Sequence, residues 1–331
     1  MTRRPRRSVR LRWLASALLL PLAVITWMIV GPGPASRSGP STTVMVQPGV
    51  GVRGVASELA SAGVISMRVP FILSAVVTGA AQHLKAGEYA FPDHASLLRI
   101  LWILRRGQVV RHAVTIPEGL TSAAAIDILR RDEDLTGDVA IPVEGAILPD
   151  TYDVTHGEAR AAVVARMHAA RVSLLDRLWR DRSPGLPYQS ADEAMVLASV
   201  VEKETSKPEE RPHIAGLFLN RLRLGMRLES DPTVIYGVSG GVPLGHGLRA
   251  SELARRTPYN TYQIAGLPPT PIANPGRAAL EAVFKPQQTD DLYFVADGTG
   301  GHAFAATLAA HQKNVARWRA LERSRAPGGS A

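Results

Sequence analysis

The pattern of apolar and polar positions separates an apolar N-terminal run from a longer stretch of short helices and strands. Residues 13–30 carry no charge, and a run of eighteen residues is about the length of helix that crosses a bilayer. Further along, apolar residues recur at helical spacing or alternate as in a strand, which predicts a mixed α+β fold. Helices are predicted at 51–65, 67–80, 94–107, 120–132, 157–182, 211–225 and 306–325, and strands at 44–49, 84–91 and 108–119.

Three segments, at 226–237, 255–276 and 290–307, follow a different pattern, in which turn residues alternate with short strand-like runs. The five prolines between Pro258 and Pro275 predict that the middle segment is an ordered, extended loop. Polar groups on rigid loops suit the binding of a sugar, and turn formation alone is the alternative. The binding candidates in these loops are Asp231, Thr233, Tyr236, Tyr259, Asn260, Thr261 and Tyr262.

A further predicted helix carries two carboxylates among apolar residues. Ser190 and Glu193 have the spacing of a capping box, which predicts that this helix begins at residue 191. Glu204 falls on the apolar stripe with Leu197, whereas Glu202 falls on a less apolar face. Because burial raises the pKa of a carboxyl group, Glu204 is the better candidate for a general acid. The alternative is that both glutamates are solvated residues at a fraying helix end.

The positive charge is concentrated at the N-terminus. Six arginines lie in the first twelve residues, and without them the formal net charge of +9 falls to +3. The folded part therefore lacks the basic patch expected of a nucleic-acid-binding protein. Arginines before an apolar run predict a membrane anchor with a cytoplasmic N-terminus and the rest of the chain outside. A cleaved signal peptide is the alternative.

Several classes of site are disfavoured by the residues themselves. The absence of cysteine excludes disulfides, thiolate metal sites and cysteine nucleophiles. The nine histidines include no H-E-x-x-H spacing, and the glycine-rich run at 297–302 matches no nucleotide-binding motif. We therefore expect neither a metal nor a cofactor.

Seven motifs occur in the order found in one enzyme family. They are LKAGEY at 84–89, PEG at 117–119, EGAILPDTY at 144–152, LASVVEKET at 197–205, FLNRLRLGMRLESDPTVIYG at 218–237, TPYNTYQIAGLPPTPIANPG at 257–276 and LYFVADGTGGHAF at 292–304. With them, the chain resembles the endolytic murein transglycosylases, the MltG or YceG-like family.

The resemblance implies a single-pass plasma-membrane protein of the cell-wall machinery. Its implied parts are a cytoplasmic segment at 1–12, a transmembrane helix at 13–30, a flexible linker at 31–43, a LysM-like module at 44–110, a catalytic domain with a lysozyme-like catalytic helix at 111–323, and a disordered tail at 324–331. The implied partners are peptidoglycan glycan strands, with peptidoglycan synthases and cell-division proteins as further candidates.

The implied reaction is non-hydrolytic cleavage of the β-1,4 bond between N-acetylmuramic acid and N-acetylglucosamine, which leaves 1,6-anhydro ends. Glu204 would act first as acid and then as base, with Glu202 as the alternative, and Asp150 and Tyr152 of the third motif join the binding candidates. Two other functions remain open. One is a glycan-binding scaffold with weak or no activity, and the other is a muramidase that uses a second carboxylate such as Asp231.

Overall fold

The computed structural model describes residues 19–21, 23–36 and 39–325. These residues form helices and two-stranded sheets, which confirms the predicted mixed α+β class. They divide into two compact units. The first contains the described residues up to His112 together with Asp153–Glu158, and the second contains Ala113–Tyr152 and the residues from Ala159 onward.

The first unit is built on one antiparallel strand pair. Its elements are β1 (Ser41–Val46), α1 (Val52–Ser61), α2 (Arg68–Val77), β2 (Gly87–Pro92) and α3 (Leu97–Arg106). The two strands pair along their whole length, from Ser41 opposite Pro92 to Val46 opposite Gly87. Tyr89 and Phe91 of β2 are fully buried in the same core as Phe71 of α2, because alternate residues of a strand face the same side.

The chain before β1 is held against this unit. The backbone N–H of Gly33 donates to the His94 carbonyl at 3.1 Å, and a ring nitrogen of His94 lies 3.0 Å from the Gly33 carbonyl. The first strand begins at Ser41, which is three residues before the predicted start of the module. The predicted linker therefore overlaps ordered structure at both of its ends.

Of the predicted membrane segment, residues 13–18 and 22 lie outside the described part, as do 1–12 and most of the predicted tail (326–331). Residues 19–21 and 23–30 are helical. Within the described ranges, no helix is both long and apolar enough to cross a membrane.

The chain after α3 is mostly helical. Its elements are β3 (His112–Thr115), α4 (Ser122–Arg131), β4 (Leu135–Thr136), β5 (Thr151–Val154), β6 (Glu158–Ala159), α5 (Arg160–Arg180), α6 (Ala191–Glu204), α7 (Arg211–Arg223), α8 (Asp231–Ser239), α9 (Ala250–Ala254), α10 (Arg277–Phe284), β7 (Tyr293–Ala296), β8 (His302–Ala305) and α11 (Leu308–Arg325). Leu197 of α6, Phe218 of α7 and Phe284 of α10 are fully buried in one cluster. Helix α6 begins as predicted, since the Ser190 side chain accepts a hydrogen bond from the Glu193 N–H.

Three helices depart from the predicted pattern. Residues 231–239, predicted as turn and strand-like, form helix α8, because Ser230 precedes it as N-cap and Pro232 stands in the first turn, where no backbone donor is needed. Helices α9 and α10 have no counterpart among the predicted elements. The prolines of 257–276 do exclude regular helix and strand from that stretch, as expected.

Candidate active site

Glu204 is the last residue of α6, and its partly buried carboxyl group has one described hydrogen-bond partner. The Ser230 hydroxyl donates to Oε2 of Glu204 at 2.8 Å. Burial raises the pKa of Glu204 to about 7, and the neighbouring Asp231 charge adds to the rise, whereas the Ser230 hydroxyl and the Arg221 guanidinium oppose it. At neutral pH this carboxyl group therefore exists in comparable amounts with and without its proton, which suits a group that first donates and then accepts a proton.

Ser230 owes its orientation to two threonines that the sequence suggested as sugar ligands. The serine is the N-cap of α8 but makes no side-chain capping bond, so its hydroxyl is free to serve Glu204. Its own N–H donates to Oγ1 of Thr261 at 2.9 Å, and that hydroxyl lies 2.8 Å from the hydroxyl of Thr233. Both threonines are fully buried. Their hydroxyl groups hold the Ser230 backbone in place, whereas the sequence predicted that they contact the substrate.

Asp231 and Tyr262 do lie beside Glu204. The Tyr262 hydroxyl donates to Oδ1 of the exposed Asp231 at 2.7 Å, and burial with the nearby carboxylates raises the pKa of Tyr262. Asn260 is buried; its Oδ1 accepts from the Tyr262 N–H at 2.9 Å, and its amide donates to the carbonyls of Leu253 and Arg255. Asn260 therefore shapes the loop that presents Tyr262 and is not itself available to a ligand.

Glu202, the alternative candidate, is engaged on both oxygens. Oε1 accepts from the Arg211 guanidinium at 2.7 Å, and Oε2 accepts from the Gly276 N–H at 3.0 Å. Its side chain is only 4% exposed, so Glu202 is buried although the sequence places it on the less apolar face of the helix. Glu118 also pairs with Arg211 at 3.4 Å. Although burial raises the pKa of Glu202 as well, its bonds fix the end of α6 and leave no oxygen free for a substrate.

Tyr236 and Tyr259 form an aromatic pair. Their ring centroids are 4.8 Å apart at an interplanar angle of 63°, and burial raises the pKa of Tyr236 to about 12. The Tyr259 hydroxyl lies 2.8 Å from that of Thr270, in the proline-rich loop. Tyr236 is on α8, five residues or roughly 7.5 Å along the helix from Asp231. Asp231 and one ring of the aromatic pair are thus carried by the same helix, and the second ring belongs to the proline-rich loop.

Asp150 and Tyr152 occupy a different place. The Tyr152 hydroxyl donates to the Leu148 carbonyl at 2.7 Å, which ties the loop back on itself. Asp150 lines a cavity of about 460 Å³ together with Glu118 and Arg277, and Glu204 is not among its lining residues. Neither the hydrogen bond of Tyr152 nor the cavity lined by Asp150 includes Glu204.

A cavity of about 930 Å³ lies along the N-terminal half of α6. Met195 and Val196 contribute to its wall, as do Arg171 and the loop around Thr270, but Glu204 does not. Val196 precedes Glu204 by eight residues, or roughly 12 Å of helix. This cavity therefore does not contain the carboxyl group that is the candidate catalytic acid.

Ser230, Arg221 and Arg211 were missed from the sequence. The available signal for Ser230 was the Ser-Asp-Pro order, which is typical of a helix start. The residues next to the two arginines in sequence do not indicate their roles, because several of their partners lie far away along the chain. In the described ranges, no three histidine, aspartate or glutamate side chains are grouped so that they could hold a metal ion.

Two known proteins are similar to this chain in sequence. An endolytic murein transglycosylase of Bacillus subtilis is 32% identical over 174 residues, which cover 52% of this chain and 47% of that protein. A protein of the same name from Streptococcus pneumoniae is 29% identical over 324 residues, covering 83% of this chain and 58% of that protein. The chain thus spans about half the length of these curated relatives.

The fold of this chain is also similar to that of a solved structure. A protein from Listeria monocytogenes described as yceG-like, with a crystal structure at 2.6 Å, aligns with a TM-score of 0.55 and 26% identity. The alignment covers 83% of this chain and 99% of that one. The family model described as YceG-like matches residues 44–317, which is most of the chain, and the protein therefore belongs to the YceG-like family.

Proposed function

We propose that this protein is a lytic transglycosylase that cleaves peptidoglycan glycan strands internally, with Glu204 as its catalytic acid and base. The observation that carries the proposal is a single carboxyl group with a pKa of about 7, one oxygen of which has no described hydrogen-bond partner. The names of the curated relatives, endolytic murein transglycosylases, support the choice of substrate.

One carboxyl group is sufficient for this reaction because the substrate supplies the nucleophile. Protonated Glu204 gives its proton to the glycosidic oxygen as the bond from that oxygen to C1 of the muramic acid breaks. The C6 hydroxyl oxygen of the same sugar then bonds to C1, and its proton passes to the Glu204 carboxylate. The product is a 1,6-anhydro ring, and the enzyme regains its starting protonation state. A hydrolase would instead need a second carboxylate to activate water or to form a covalent intermediate.

Asp231 supports a second candidate function. It is an exposed carboxylate close enough to Glu204 to raise the pKa of that residue. In a two-carboxylate muramidase Asp231 would be the second group. Its hydrogen bond from Tyr262 instead favours a role in holding the sugar and in keeping Glu204 protonated.

We also propose that the apolar N-terminal segment anchors the protein in the plasma membrane with the catalytic unit outside. The large apolar side chains of the helical residues before Gly31 are exposed, as expected for a surface that faces lipid. They are Leu19, Leu20, Val24, Ile25, Trp27 and Val30. The β1–α1–α2–β2 order supports a LysM-like glycan-binding role for the first unit, and synthases and division proteins remain predicted partners.

The test is mass spectrometry of isolated peptidoglycan after digestion by the full chain. We expect fragments with 1,6-anhydro ends from the wild type and their loss, by roughly 100-fold or more, from Glu204→Gln. Glu209→Gln is the matched control, because this nearby glutamate is exposed and should leave the activity intact.

The remaining outcomes separate the alternatives. Reducing ends in place of anhydro ends would identify a muramidase, and intact glycan would identify a binding scaffold. If Glu202→Gln abolished cleavage in a folded protein while Glu204→Gln retained it, the assignment of the acid would be wrong.

A further inference from the structure

Helix α2 of the first unit carries an apolar face that the described chain leaves uncovered. The face consists of Val69, Leu73, Val76 and Val77, with exposed fractions between 58% and 85%. Their spacing of four, three and one residues places them along one side of the helix. The opposite side is buried through Phe71 and Ala75. Soluble proteins seldom leave such a contiguous apolar surface open unless something binds it.

The start of this helix lies beside the end of the apolar N-terminal segment. Trp27 and Met28 of that segment line one cavity of about 190 Å³ together with Met67 and Pro70 at the start of α2. The hydrogen bonds between Gly33 and His94 hold the intervening chain on the same unit. A helix of ten residues is roughly 15 Å long, so the whole apolar face is within one helix length of Trp27. If Trp27 is in contact with lipid, the apolar face of α2 is therefore close enough to reach lipid as well.

The charges of α2 are those expected of a helix that contacts a lipid surface. Its ten residues contain one charged side chain, Arg68 at the first position, and no acidic residue. A helix that lies in the interface buries its apolar face roughly 5–10 Å into the headgroup region, and a basic residue beside that face meets lipid phosphate favourably.

We propose that α2 lies in the outer surface of the bilayer, with Val69, Leu73, Val76 and Val77 inserted at the boundary between the lipid headgroups and the acyl chains. This inference rests on the proposed membrane anchor, and it adds a second contact that fixes the first unit at the membrane. The anchor then limits the distance of this unit from the lipid, and α2 limits its orientation.

The experiment uses fluorescent labels and brominated lipids, which quench only fluorophores in contact with the acyl chains. The chain contains no cysteine, so that each single-cysteine variant of the full-length protein takes one label. Val76→Cys reports on the apolar face. Ala90→Cys is the matched control, because Ala90 is an exposed residue of β2 between the buried Tyr89 and Phe91, so it points away from the core that α2 covers. Both variants are reconstituted in vesicles of phosphatidylethanolamine and phosphatidylglycerol, with or without bromine near the headgroup.

We expect the label at position 76 to lose emission in brominated vesicles and the label at position 90 to keep it. Adding Val69→Ser and Leu73→Ser to the Val76→Cys variant should abolish that loss, while circular dichroism checks that the fold is retained. An unquenched label at position 76 would overturn the proposal, and a label shielded from aqueous iodide without lipid quenching would indicate a protein partner instead.

Failure of the anchor and failure of this proposal are separable in the same samples. Extraction at alkaline pH tests whether the chain is retained in the membrane through its N-terminal segment, and the release of anhydro fragments tests the activity. A retained, active protein with an unquenched label at position 76 would contradict the α2 contact alone.

Discussion

Replacing Glu204 by glutamine should make the protein more stable at alkaline pH while it removes the activity. The pKa of this carboxyl group is about 7 in the folded protein against an ordinary value of 4.5. Between these two values the folded protein holds a proton that the unfolded chain has released, so stability falls as pH rises through this window. The difference of about 2.5 pKa units corresponds to roughly 3 kcal/mol at pH 8, which is an upper value because water reaches part of the side chain.

Glutamine has nearly the shape of the protonated acid, can still accept the Ser230 hydrogen bond, and does not ionise. The assay is urea denaturation of wild type and Glu204→Gln at about pH 4 and pH 8 in the same buffer system. The free energy of unfolding of the variant relative to the wild type should be near zero at the lower pH and should rise by up to roughly 3 kcal/mol at the higher pH. Equal pH dependence of the two proteins would refute the reasoning, because Glu204 would then titrate alike in both states.

Three further predictions concern the neighbours of Glu204 and the pair formed by Glu202. Ser230→Ala removes a hydrogen bond that favours the carboxylate, so the alkaline limit of kcat/KM should move upward by roughly one pH unit, whereas Ser239→Ala on the same helix should leave it in place. A downward shift would contradict this sign. Arg211→Leu leaves Glu202 buried without its ion pair and should lower the free energy of unfolding by about 3–5 kcal/mol in urea titrations at pH 7, and an effect below 1 kcal/mol would show that the pair is dispensable. Gly276→Ala should lower the thermal midpoint, because its Cβ would lie 1.8 Å from Oε1 of Glu118, while Gly247→Ala, with open space around its Cβ, is the control.

The elements that were predicted well are those whose signals are local. The start of α6 follows from Ser190 and Glu193, which are three residues apart and bond to each other. The α1 and α2 helices of the first unit follow from apolar spacing within each segment. The start of α8 was missed because Asp-Pro is read as a turn, although the same pair after a serine is also a good first turn of a helix.

The division of roles between the two glutamates could not be derived from helix faces. Spacing placed Glu204 on the apolar stripe and Glu202 away from it, but the position of Glu202 is decided by Arg211 on the next helix and by Gly276, 74 residues further along. Likewise, Thr233 and Thr261 are polar residues on predicted loops, and only the folded chain reveals that their hydroxyls face each other in the interior. Hydrogen-bond partners that are distant in sequence thus determine which polar side chain remains free to contact a substrate.

The saturation of Glu202 has a practical consequence for capturing a bound glycan. Since its two oxygens already fix the end of α6, the backbone that carries residue 204 does not depend on the ionised state of residue 204. A Glu204→Gln protein should therefore keep the geometry of the site around residue 204 while it loses the proposed cleavage of the glycan strand. Together with its expected gain in stability at alkaline pH, this makes it the preferred variant for testing the proposed activity by crystallisation with a glycan strand.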